Sequence, residues 1–385
     1  MARVRMGMVG GGEGAFIGAV HRIAAAMDGN LELVCGAFAS DAERSRRSGA
    51  ALHLPEDRVY PDYQTLLARE AALPADQRMQ FVSIVTPNHL HFPVADAALL
   101  AGFHVLSDKP ATTSLAQALA LRERVRETGL LYGLTHTYAG YPLVKEARER
   151  IAAGELGAIR KVVVEYPQGW LAERAEDTDN KQAAWRLDPA RAGVSSCMGD
   201  IGVHAAHLAE YVSGLRITEL CADLTAFVEG RSLDDDGAML LRFNNGARGL
   251  LWASQVCVGE ENALALRVYG ERGGLEWRQQ EPNTLWLKWN DRPTQMLRCG
   301  GPYLGAAAGM NTRTPMGHPE GYLEAFANLY RAFAGQVRAH AEGEPCDTHS
   351  QDCPGIDAAV RGMAFIELAV AAGASGQKWH TFTHV

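Results

Sequence analysis

Hydrophobic and polar positions show two different patterns in the first 150 residues. Short apolar runs, which suit buried strands, are separated by stretches whose apolar residues recur at helical spacing. The predicted strands cover residues 5–9, 31–39, 81–86, 104–106 and 130–138, and the predicted helices cover residues 18–27, 41–51, 62–72, 91–101 and 114–128. This alternation predicts a parallel sheet with helices on both faces.

The pattern changes after about residue 154. After an isolated strand candidate, an irregular stretch and a helix at about 203–212, strand candidates follow one another directly, which favours an antiparallel sheet. The strand candidates are residues 158–166, 219–228, 237–243, 249–256, 263–269, 274–279 and 284–289. Two predicted helices, about 321–340 and 355–372, end the chain. We therefore expect a dinucleotide-binding domain at 1–153 and an α+β domain at 154–385, whose last helices are free to pack back on the first domain.

Composition narrows the class of protein. The net charge of the 385 residues is −8, with acidic and basic residues mixed, which argues against a nucleic-acid partner. The seven cysteines are scattered and form no CxxC pair, so we expect reduced thiols in a cytoplasmic protein. No apolar run is long enough for a membrane helix, and the N-terminus does not read as a signal peptide.

A glycine-rich segment, VGGGEGAFIG at residues 9–18, lies between the first predicted strand and the first predicted helix. In a dinucleotide-binding turn, glycines permit the tight turn and the close approach of a pyrophosphate, and the helix N-terminus offers N–H groups to that anion. Gly10 and Gly12 fit the first two glycine positions. The third falls on Ala15 by count, or on Gly18 if the turn is longer. A plain strand-to-helix turn is the alternative, and the strand–helix–strand context favours nucleotide binding.

The end of the second predicted strand bears on the choice of nicotinamide cofactor. NAD sites usually carry an acidic residue there for the ribose hydroxyls, whereas this chain has Ala39, and Asp41 follows two residues later. Ser40 and Arg44 would suit a 2′-phosphate. Asp41 is equally well explained as the N-cap of the next helix, so NAD and NADP both stay open as the cofactor.

Three further segments lie at the ends of predicted elements. TPNHLH, at 86–91, and SDKP, at 107–110, each follow a buried strand, and GDIGVHAAHL, at 199–208, leads into a helix. Together with the glycine turn, their order and spacing resemble the Gfo/Idh/MocA family, the glucose–fructose oxidoreductase and inositol dehydrogenase group. The resemblance covers nearly the whole chain.

The resemblance implies a Rossmann domain followed by an α+β domain with an open-faced, mostly antiparallel sheet. It also implies a nicotinamide cofactor, a sugar, cyclitol or polyol substrate, and a homodimer or homotetramer assembled through the C-terminal sheet. The family's E-K-P motif corresponds here to Asp108, Lys109 and Pro110, and its D-x-x-x-H motif to Asp200 and His204. The expected catalytic residues are then Lys109, Asp200 and His204.

Two positions depart from the family pattern. Asp108 is one methylene shorter than the usual glutamate, which bears on its expected contact with the nicotinamide ribose. His207 stands where many members have a second aspartate, which bears on substrate preference.

Oxidation of a secondary alcohol explains why these residue types would be used. Imidazole titrates near neutral pH, so His204 suits the base. In a helix Asp200 would share a face with it and orient hydroxyls or stabilise the imidazolium. Lys109 would place positive charge where an alkoxide develops, at the strand end where ligands bind in such folds. The structural alternatives are a solvated strand-end lysine, a helix-capping aspartate and a half-buried histidine.

Other candidates surround these three. The cofactor edge is expected to include Thr86, Asn88, His91, Asp108 and Lys109, with Asn88 and His91 also suited to cap the next helix. Substrate contacts are expected from Trp185, Arg186, His207 and His318, with Lys181, Gln182 and Tyr322 as neighbours; packing roles explain His207, Trp185 and the helix start near His318 equally well. His89 and His91 lack a carboxylate partner at metal-ligand spacing, so no metal is expected.

The leading hypothesis is therefore an NAD(P)-dependent dehydrogenase acting on a CH–OH group of a sugar, cyclitol or related polyol. A second hypothesis is an NAD-dependent glycosidase that oxidises the sugar transiently, eliminates the aglycone and returns the hydride, with no net turnover of cofactor. The sequence leaves the substrate, the redox direction and the oligomer number open.

Overall fold

The computed structural model describes residues 3–178 and 185–383. The chain divides into two compact units, one formed by Met1–Thr137 with Phe326–Val360, and the other by Tyr138–Ala325 with Arg361–Val385. We call them unit 1 and unit 2. By this division the chain first passes from unit 1 to unit 2 after residue 137, and residues 326–360 belong to unit 1 again. The domain boundary at residue 153, expected from the sequence, stays a proposal.

Unit 1 is built on a five-stranded parallel sheet in the order β2-β1-β3-β4-β5. Its strands are β1 (Val4–Gly10), β2 (Leu31–Ala37), β3 (Phe81–Val85), β4 (His104–Ser107) and β5 (Tyr132–Leu134). The helices that follow these strands are α1 (Phe16–Met27), α2 (Ala42–Ala51), α3 (Tyr63–Ala71), α4 (His91–Leu100) and α5 (Leu115–Thr128). Because the strand order reverses at β1, the carboxyl ends of β1 and β3 flank the crevice where ligands bind in such sheets.

Helix boundaries in unit 1 follow the signals in the sequence. Asp41, Asp62 and Ser114 each accept a hydrogen bond from a backbone N–H in the first turn of the helix that follows. Gly129 ends α5 in the left-handed conformation, at φ 66°. The capping role considered for Asp41 is therefore confirmed.

Unit 2 contains a nine-stranded sheet in the order β13-β12-β11-β10-β6-β9-β8-β7-β14, which is antiparallel except where β6 pairs with β9. Its strands are β6 (Ile159–Pro167), β7 (Ile217–Thr225), β8 (Asp236–Phe243), β9 (Arg248–Ser254), β10 (Ala265–Gly270), β11 (Gly273–Arg278), β12 (Thr284–Trp289), β13 (Gln295–Arg298) and β14 (His380–Thr381). Its helices are α6 (Pro142–Ala152), α7 (Pro189–Ala192), α8 (Val203–Ser213) and α9 (Ala306–Met310). Helices α6 and α8 pack against one face of this sheet.

The residues of two long helices are divided between the two units. Helix α10 (Tyr322–Glu342) begins in unit 2 and continues in unit 1, and α11 (Ile356–Gly373) begins in unit 1 and continues in unit 2. Within unit 1, Phe333 of α10 packs edge-on against Phe81 of β3, at 5.3 Å between ring centroids. The fold class expected from the sequence is confirmed, with a parallel sheet first and a mostly antiparallel sheet afterwards.

The prediction was wrong between residues 130 and 152. The expected strand at 130–138 shortens to β5, because the backbone leaves the sheet after Leu134 and forms a 3₁₀ turn, Thr137–Gly140. Helix α6 was missed although Pro142 stands at its first position, where proline favours a helix start. Its Lys145 and Glu146 are buried, which obscures the apolar stripe.

Two classes of feature are not found in the parts of the chain that the structure describes. No helix there is long and apolar enough to cross a membrane. Nor do three or more histidine, cysteine or acidic side chains come together there as a possible metal site.

His104, at the start of β4, links the stability of unit 1 to pH. Its Nδ1 accepts a hydrogen bond from the Leu131 N–H, and burial, reinforced by the nearby His340, lowers the pKa of His104 from 6.5 to about 4. The folded protein therefore holds this ring neutral, so its contribution to stability is complete above pH 6.5 and is lost as the pH falls toward 4. Between pH 7.5 and pH 5 the loss is about 2 kcal/mol.

We expect His104→Asn to reduce the loss of stability on acidification. The asparagine oxygen can still accept the Leu131 N–H, but the titrating ring is gone. Urea unfolding at pH 7.5 and pH 5 measures the effect in both proteins. An equal acid-induced fall in the unfolding midpoint of wild type and variant would contradict the assignment.

Candidate active site

The glycine turn of unit 1 is shaped by three left-handed residues and one close backbone contact. Gly10, Gly11 and Gly14 have φ between 70° and 81°, a region that residues with a side chain rarely adopt. A Cβ on Gly18 would lie 2.2 Å from the Gly11 carbonyl oxygen. The role of the third glycine, which is close packing of helix on strand, therefore falls on Gly18.

Gly12 and Ala15 occupy different places in the same turn. The Gly12 N–H donates to the Phe38 carbonyl oxygen at 3.2 Å, and a Cβ on Gly12 would lie 2.7 Å from that oxygen. Ala15 is the residue before the first turn of α1 and caps it with no side-chain bond. The N–H groups at the start of α1 are thus available to an anion such as a pyrophosphate.

The crevice between β1 and β3 carries polar groups suited to a dinucleotide. A Cβ on Gly10 would lie 2.4 Å from the Val85 carbonyl oxygen, so the two strand ends are in close contact. The Thr86 hydroxyl is buried and, among the described residues, has no hydrogen-bond partner. Asn88 is buried at the start of a 3₁₀ turn. These features of unit 1 fit a nicotinamide dinucleotide.

The strand end of β2 carries no acidic side chain for a ribose. Ser40 and Arg44 are exposed just beyond it, and the Asp41 carboxylate accepts the Arg44 backbone N–H at 2.7 Å. Asp41 is therefore engaged at the start of α2.

Asp108 and Lys109 follow β4, which lies beside β3. One oxygen of Asp108 accepts hydrogen bonds from the Lys109 backbone N–H, at 2.8 Å, and from the Thr135 hydroxyl, at 2.9 Å. Lys109 is half-buried. The side chain of Asp108 is thus tied to the backbone of the lysine that the motif identifies.

His91 connects this turn to the end of β3. It is the first residue of α4, and its ring nitrogens lie 2.6 Å from the Pro110 carbonyl oxygen and 2.8 Å from the Thr86 carbonyl oxygen. The residue before α4 is Leu90, which makes no side-chain capping bond, and the capping expected of Asn88 and His91 stays a prediction. The His91 ring positions the two loops that carry Thr86 and Lys109.

In unit 2, Asp200 lies in a π-helical turn, Met198–Gly202, that continues into α8. Single π turns inside helices are frequent at functional sites. The Asp200 Oδ2 accepts a hydrogen bond from the Gln255 side chain at 3.0 Å and lies 3.3 Å from Nε of Arg186. No helix begins at Asp200, so the capping alternative for this residue is not what the structure has.

Asp234 accepts hydrogen bonds from the residues at and just before this π turn. Its carboxylate accepts hydrogen bonds from the Ser195 hydroxyl and from the backbone N–H groups of Ser196 and Met198, at 2.9 to 3.1 Å. Burial raises the pKa of Asp234, and these hydrogen bonds act in the opposite direction. The segment that leads into the turn of Asp200 is therefore held by a half-buried acidic side chain.

His204, one turn after Asp200, is buried against aromatic rings. Its ring packs edge-on against Tyr138 at 4.9 Å between centroids. Tyr138 and Tyr166 share a hydrogen bond, and the Tyr166 hydroxyl donates to Asn262 at 2.7 Å. Burial raises the pKa of both tyrosines, so their hydroxyls remain protonated and polar beside the imidazole.

The other substrate candidates divide into two groups. Arg186 stands over the Trp185 ring at 4.3 Å, beside Asp200. His207 stacks on Tyr211 at 5.8 Å, which favours helix packing. His318 is exposed, and its described contact is with Pro315 in its own loop, so it is not joined to Asp200 or His204. Lys181 and Gln182 lie outside the described residues.

Sequence reasoning missed two sets of side chains in these clusters. Gln255, at the end of β9, is fully buried and touches Asp200 from a distant part of the chain. Tyr138 packs on His204 and is joined by hydrogen bonds to Tyr166 and Asn262, which come from other parts of the chain. No local motif marks these residues, because only the tertiary fold brings them together.

Comparison with known proteins gives matches along most of the chain. Residues 4–136 match the family model described as "Oxidoreductase family, NAD-binding Rossmann fold", and residues 144–276 match the model described as "GFO/IDH/MocA C-terminal domain". These matches confirm the resemblance drawn from the motifs.

Individual relatives match over nearly their full length. An uncharacterized oxidoreductase of Bacillus subtilis strain 168, YfiI, is 33% identical over 98% of this chain and 97% of its own. The crystal structure of an inositol dehydrogenase homologue complexed with NAD⁺ from Azotobacter vinelandii is 38% identical, with a TM-score of 0.94 over 99% of this chain and 97% of its own. A structure from the same organism, described as an inositol dehydrogenase homologue complexed with NADH and myo-inositol, is 37% identical, with a TM-score of 0.91 over 99% and 98%.

The contact between Gly18 and Gly11 gives a test of the glycine turn. We expect Gly18→Ala to destabilise the protein by about 1–3 kcal/mol, the usual effect of overpacking, and to weaken NADH binding at least roughly tenfold, because the turn must open. Ala15→Gly should leave the NADH dissociation constant nearly unchanged. Fluorescence titration with NADH and thermal unfolding measure both variants.

Gly309→Ala is a matched control, since a Cβ there would meet nothing within 4 Å. A stronger effect of Ala15→Gly than of Gly18→Ala on NADH affinity would reassign the third position of the turn to Ala15.

Proposed function

Because this chain belongs to the GFO/IDH/MocA family of NAD-binding oxidoreductases, we propose that it is a dehydrogenase of a sugar, cyclitol or related polyol. It would move a hydride between a secondary hydroxyl of that substrate and the nicotinamide. The single observation that carries the proposal is the buried polar cluster of unit 2, in which an imidazole and a carboxylate lie one helical turn apart. The myo-inositol bound by the Azotobacter relative supports the substrate class.

His204 is the base in this proposal. Its ring packs against Tyr138, whose hydroxyl stays protonated because burial raises its pKa, and imidazole is the side chain of this pair that can accept a proton near neutral pH. The bound nicotinamide, when present, supplies the hydride chemistry.

Asp200 orients the substrate. Gln255 and Arg186 hold its Oδ2, which fixes the carboxylate in one direction. Carboxylate oxygens accept hydrogen bonds from hydroxyl groups, so a polyol suits this acceptor. The Arg186 guanidinium compensates the charge of Asp200, as a half-buried carboxylate requires.

Lys109 stabilises negative charge on the substrate oxygen. It follows β4 at the edge of the parallel sheet where ligands bind, and Asp108 holds its backbone N–H. An ammonium group beside a developing alkoxide lowers the free energy of the transition state more than that of the alcohol.

The outer face of the unit 2 sheet supports assembly into a homodimer or homotetramer. Leu240 is 46% exposed on this face, and Val163, Leu250 and Trp252 are half-buried at outward positions of the neighbouring strands β6 and β9. Adjacent apolar side chains on a broad sheet are typical of a surface that another copy covers.

A panel of inositols, aldoses and glycosides with NAD⁺ tests the proposal. We expect NADH to accumulate with at least one free polyol. Lys109→Met should lower kcat/KM by about 10²–10³-fold, the usual effect of removing one oxyanion-stabilising group, without changing the unfolding midpoint.

Lys161→Met is the matched control, because Lys161 is an exposed lysine of β6. Near-normal turnover by Lys109→Met would remove Lys109 from the mechanism. Release of an aglycone without accumulation of NADH would replace the dehydrogenase by a glycosidase.

Arg44 gives a separate test of cofactor preference. Its side chain is exposed in the first turn of α2, next to a strand end without an acid. We expect Arg44→Ala to raise KM for NADP⁺ several-fold and to leave KM for NAD⁺ within about twofold, because only the 2′-phosphate would meet the guanidinium. Parallel kinetics with both cofactors measure the ratio, and equal changes in the two KM values would contradict this role.

A further inference from the structure

A buried row of polar side chains lies behind Asp108 in unit 1. The Ser83 hydroxyl of β3 lies 2.7 Å from the Tyr330 hydroxyl of α10, and that hydroxyl lies 2.7 Å from Nδ1 of His21 in α1. The Nε2 of His21 lies 3.9 Å from Oδ2 of Asp108. Three elements far apart in sequence therefore meet behind one carboxylate.

The row is fully enclosed by protein. His21 and Ser83 have no exposed surface and Tyr330 is 1% exposed. Phe326 packs on the His21 ring at 4.9 Å between centroids. A buried polar row of this kind needs each group to be paired, because an unpaired donor costs about 1–3 kcal/mol.

The protonation states of His21 and Tyr330 decide which way the hydrogen bonds of this row point. Burial lowers the pKa of His21, against an opposing effect of Asp108, and burial raises the pKa of Tyr330. The ring is therefore neutral and the phenol protonated. If Tyr330 donates to Nδ1, the single ring proton lies on Nε2 and faces the carboxylate. The opposite tautomer would turn a lone pair toward Asp108.

The distance between Nε2 of His21 and Oδ2 of Asp108 fits neither a direct hydrogen bond nor a water bridge. At 3.9 Å it is about 1 Å longer than a hydrogen bond and too short for a bridging water. Nε2 has no hydrogen-bond partner among the described residues, so the Asp108 carboxylate is the charged group that its N–H faces. The other oxygen of Asp108 is held by the Lys109 N–H and the Thr135 hydroxyl, which leaves Oδ2 directed at His21.

A proton relay does not fit this arrangement. The row ends at Ser83, in the middle of β3 and without solvent exposure. A proton pathway needs a connection to solvent at its end. A fixed row of dipoles that ends on a carboxylate orients that carboxylate instead.

We propose that His21 is a positioning residue for the Asp108–Lys109 turn: its Nε2–H, set by Tyr330 and Ser83, fixes the Asp108 carboxylate, which in turn holds the Lys109 backbone. The consequence for turnover rests on the proposed dehydrogenase function. The consequence for the turn itself does not, because it concerns contacts between side chains of unit 1.

Two substitutions at His21 separate its two ring nitrogens. Asparagine places an amide near Nδ1 and keeps a partner for Tyr330, while glutamine places an amide donor near Nε2. We expect His21→Asn to speed hydrogen–deuterium exchange of the Lys109 amide about tenfold or more, because Asp108 becomes mobile. His21→Gln should stay within about threefold of wild type.

With a polyol that is turned over, His21→Asn should lower kcat about 10- to 100-fold while KM for NAD⁺ stays within about threefold, as a small displacement of a catalytic group produces. If wild type turns over no polyol, the proposed function fails, and the exchange comparison still decides the role of His21.

His104→Asn is the matched control, since it replaces another buried histidine of unit 1 at the start of the strand that leads to Asp108. It should leave Lys109 exchange unchanged. If His21→Asn does not fold, Tyr330→Phe removes only the hydroxyl that sets the tautomer, and the same increase in exchange is expected. Wild-type exchange at Lys109 in a folded His21→Asn or Tyr330→Phe protein overturns the proposal.

Discussion

Close contact between the backbones of Gly11 and Gly18 is the constraint on which the nucleotide-binding half depends. With no Cβ at Gly18, α1 packs directly on the turn after β1, which brings the start of the helix to the glycine turn. The same placement brings His21, three residues further along α1, under the sheet edge where Asp108 lies. One small residue therefore sets both the anion site and the polar row behind the D-K-P turn.

Half-buried carboxylates organise both units in the same physical way. Asp108 in unit 1 accepts the Lys109 backbone N–H and the Thr135 hydroxyl, and Asp234 in unit 2 accepts two backbone N–H groups and the Ser195 hydroxyl. Such donors offset the loss of hydration of a charge that is partly removed from water. The loops of Lys109 and Asp200 are thus held by groups that a substrate does not need to touch.

Local signals predicted much of the fold and part of the site. Caps at Asp41 and Ser114 and the apolar runs of β1 and β3 are properties of neighbouring residues, so the sequence carries them directly. Helix α6 and the short β5 depend on burial of Glu146 and on pairing with Pro354, which are tertiary effects. The motif residues of the site could be found by resemblance, whereas the residues that hold them are defined only by the register of distant strands and helices.

Asp108 shows how a departure from a family pattern gains a local explanation. From the sequence alone, the fact that aspartate is shorter than the usual glutamate bears only on the expected contact with the nicotinamide ribose. In the structure its Oδ1 reaches the N–H of the next residue and the Thr135 hydroxyl at once, a reach that a short side chain achieves with little loss of rotamer entropy. Its Oδ2 then faces His21. The aspartate, the histidine behind it and the threonine beside it therefore form one set of contacts around the turn that carries Lys109.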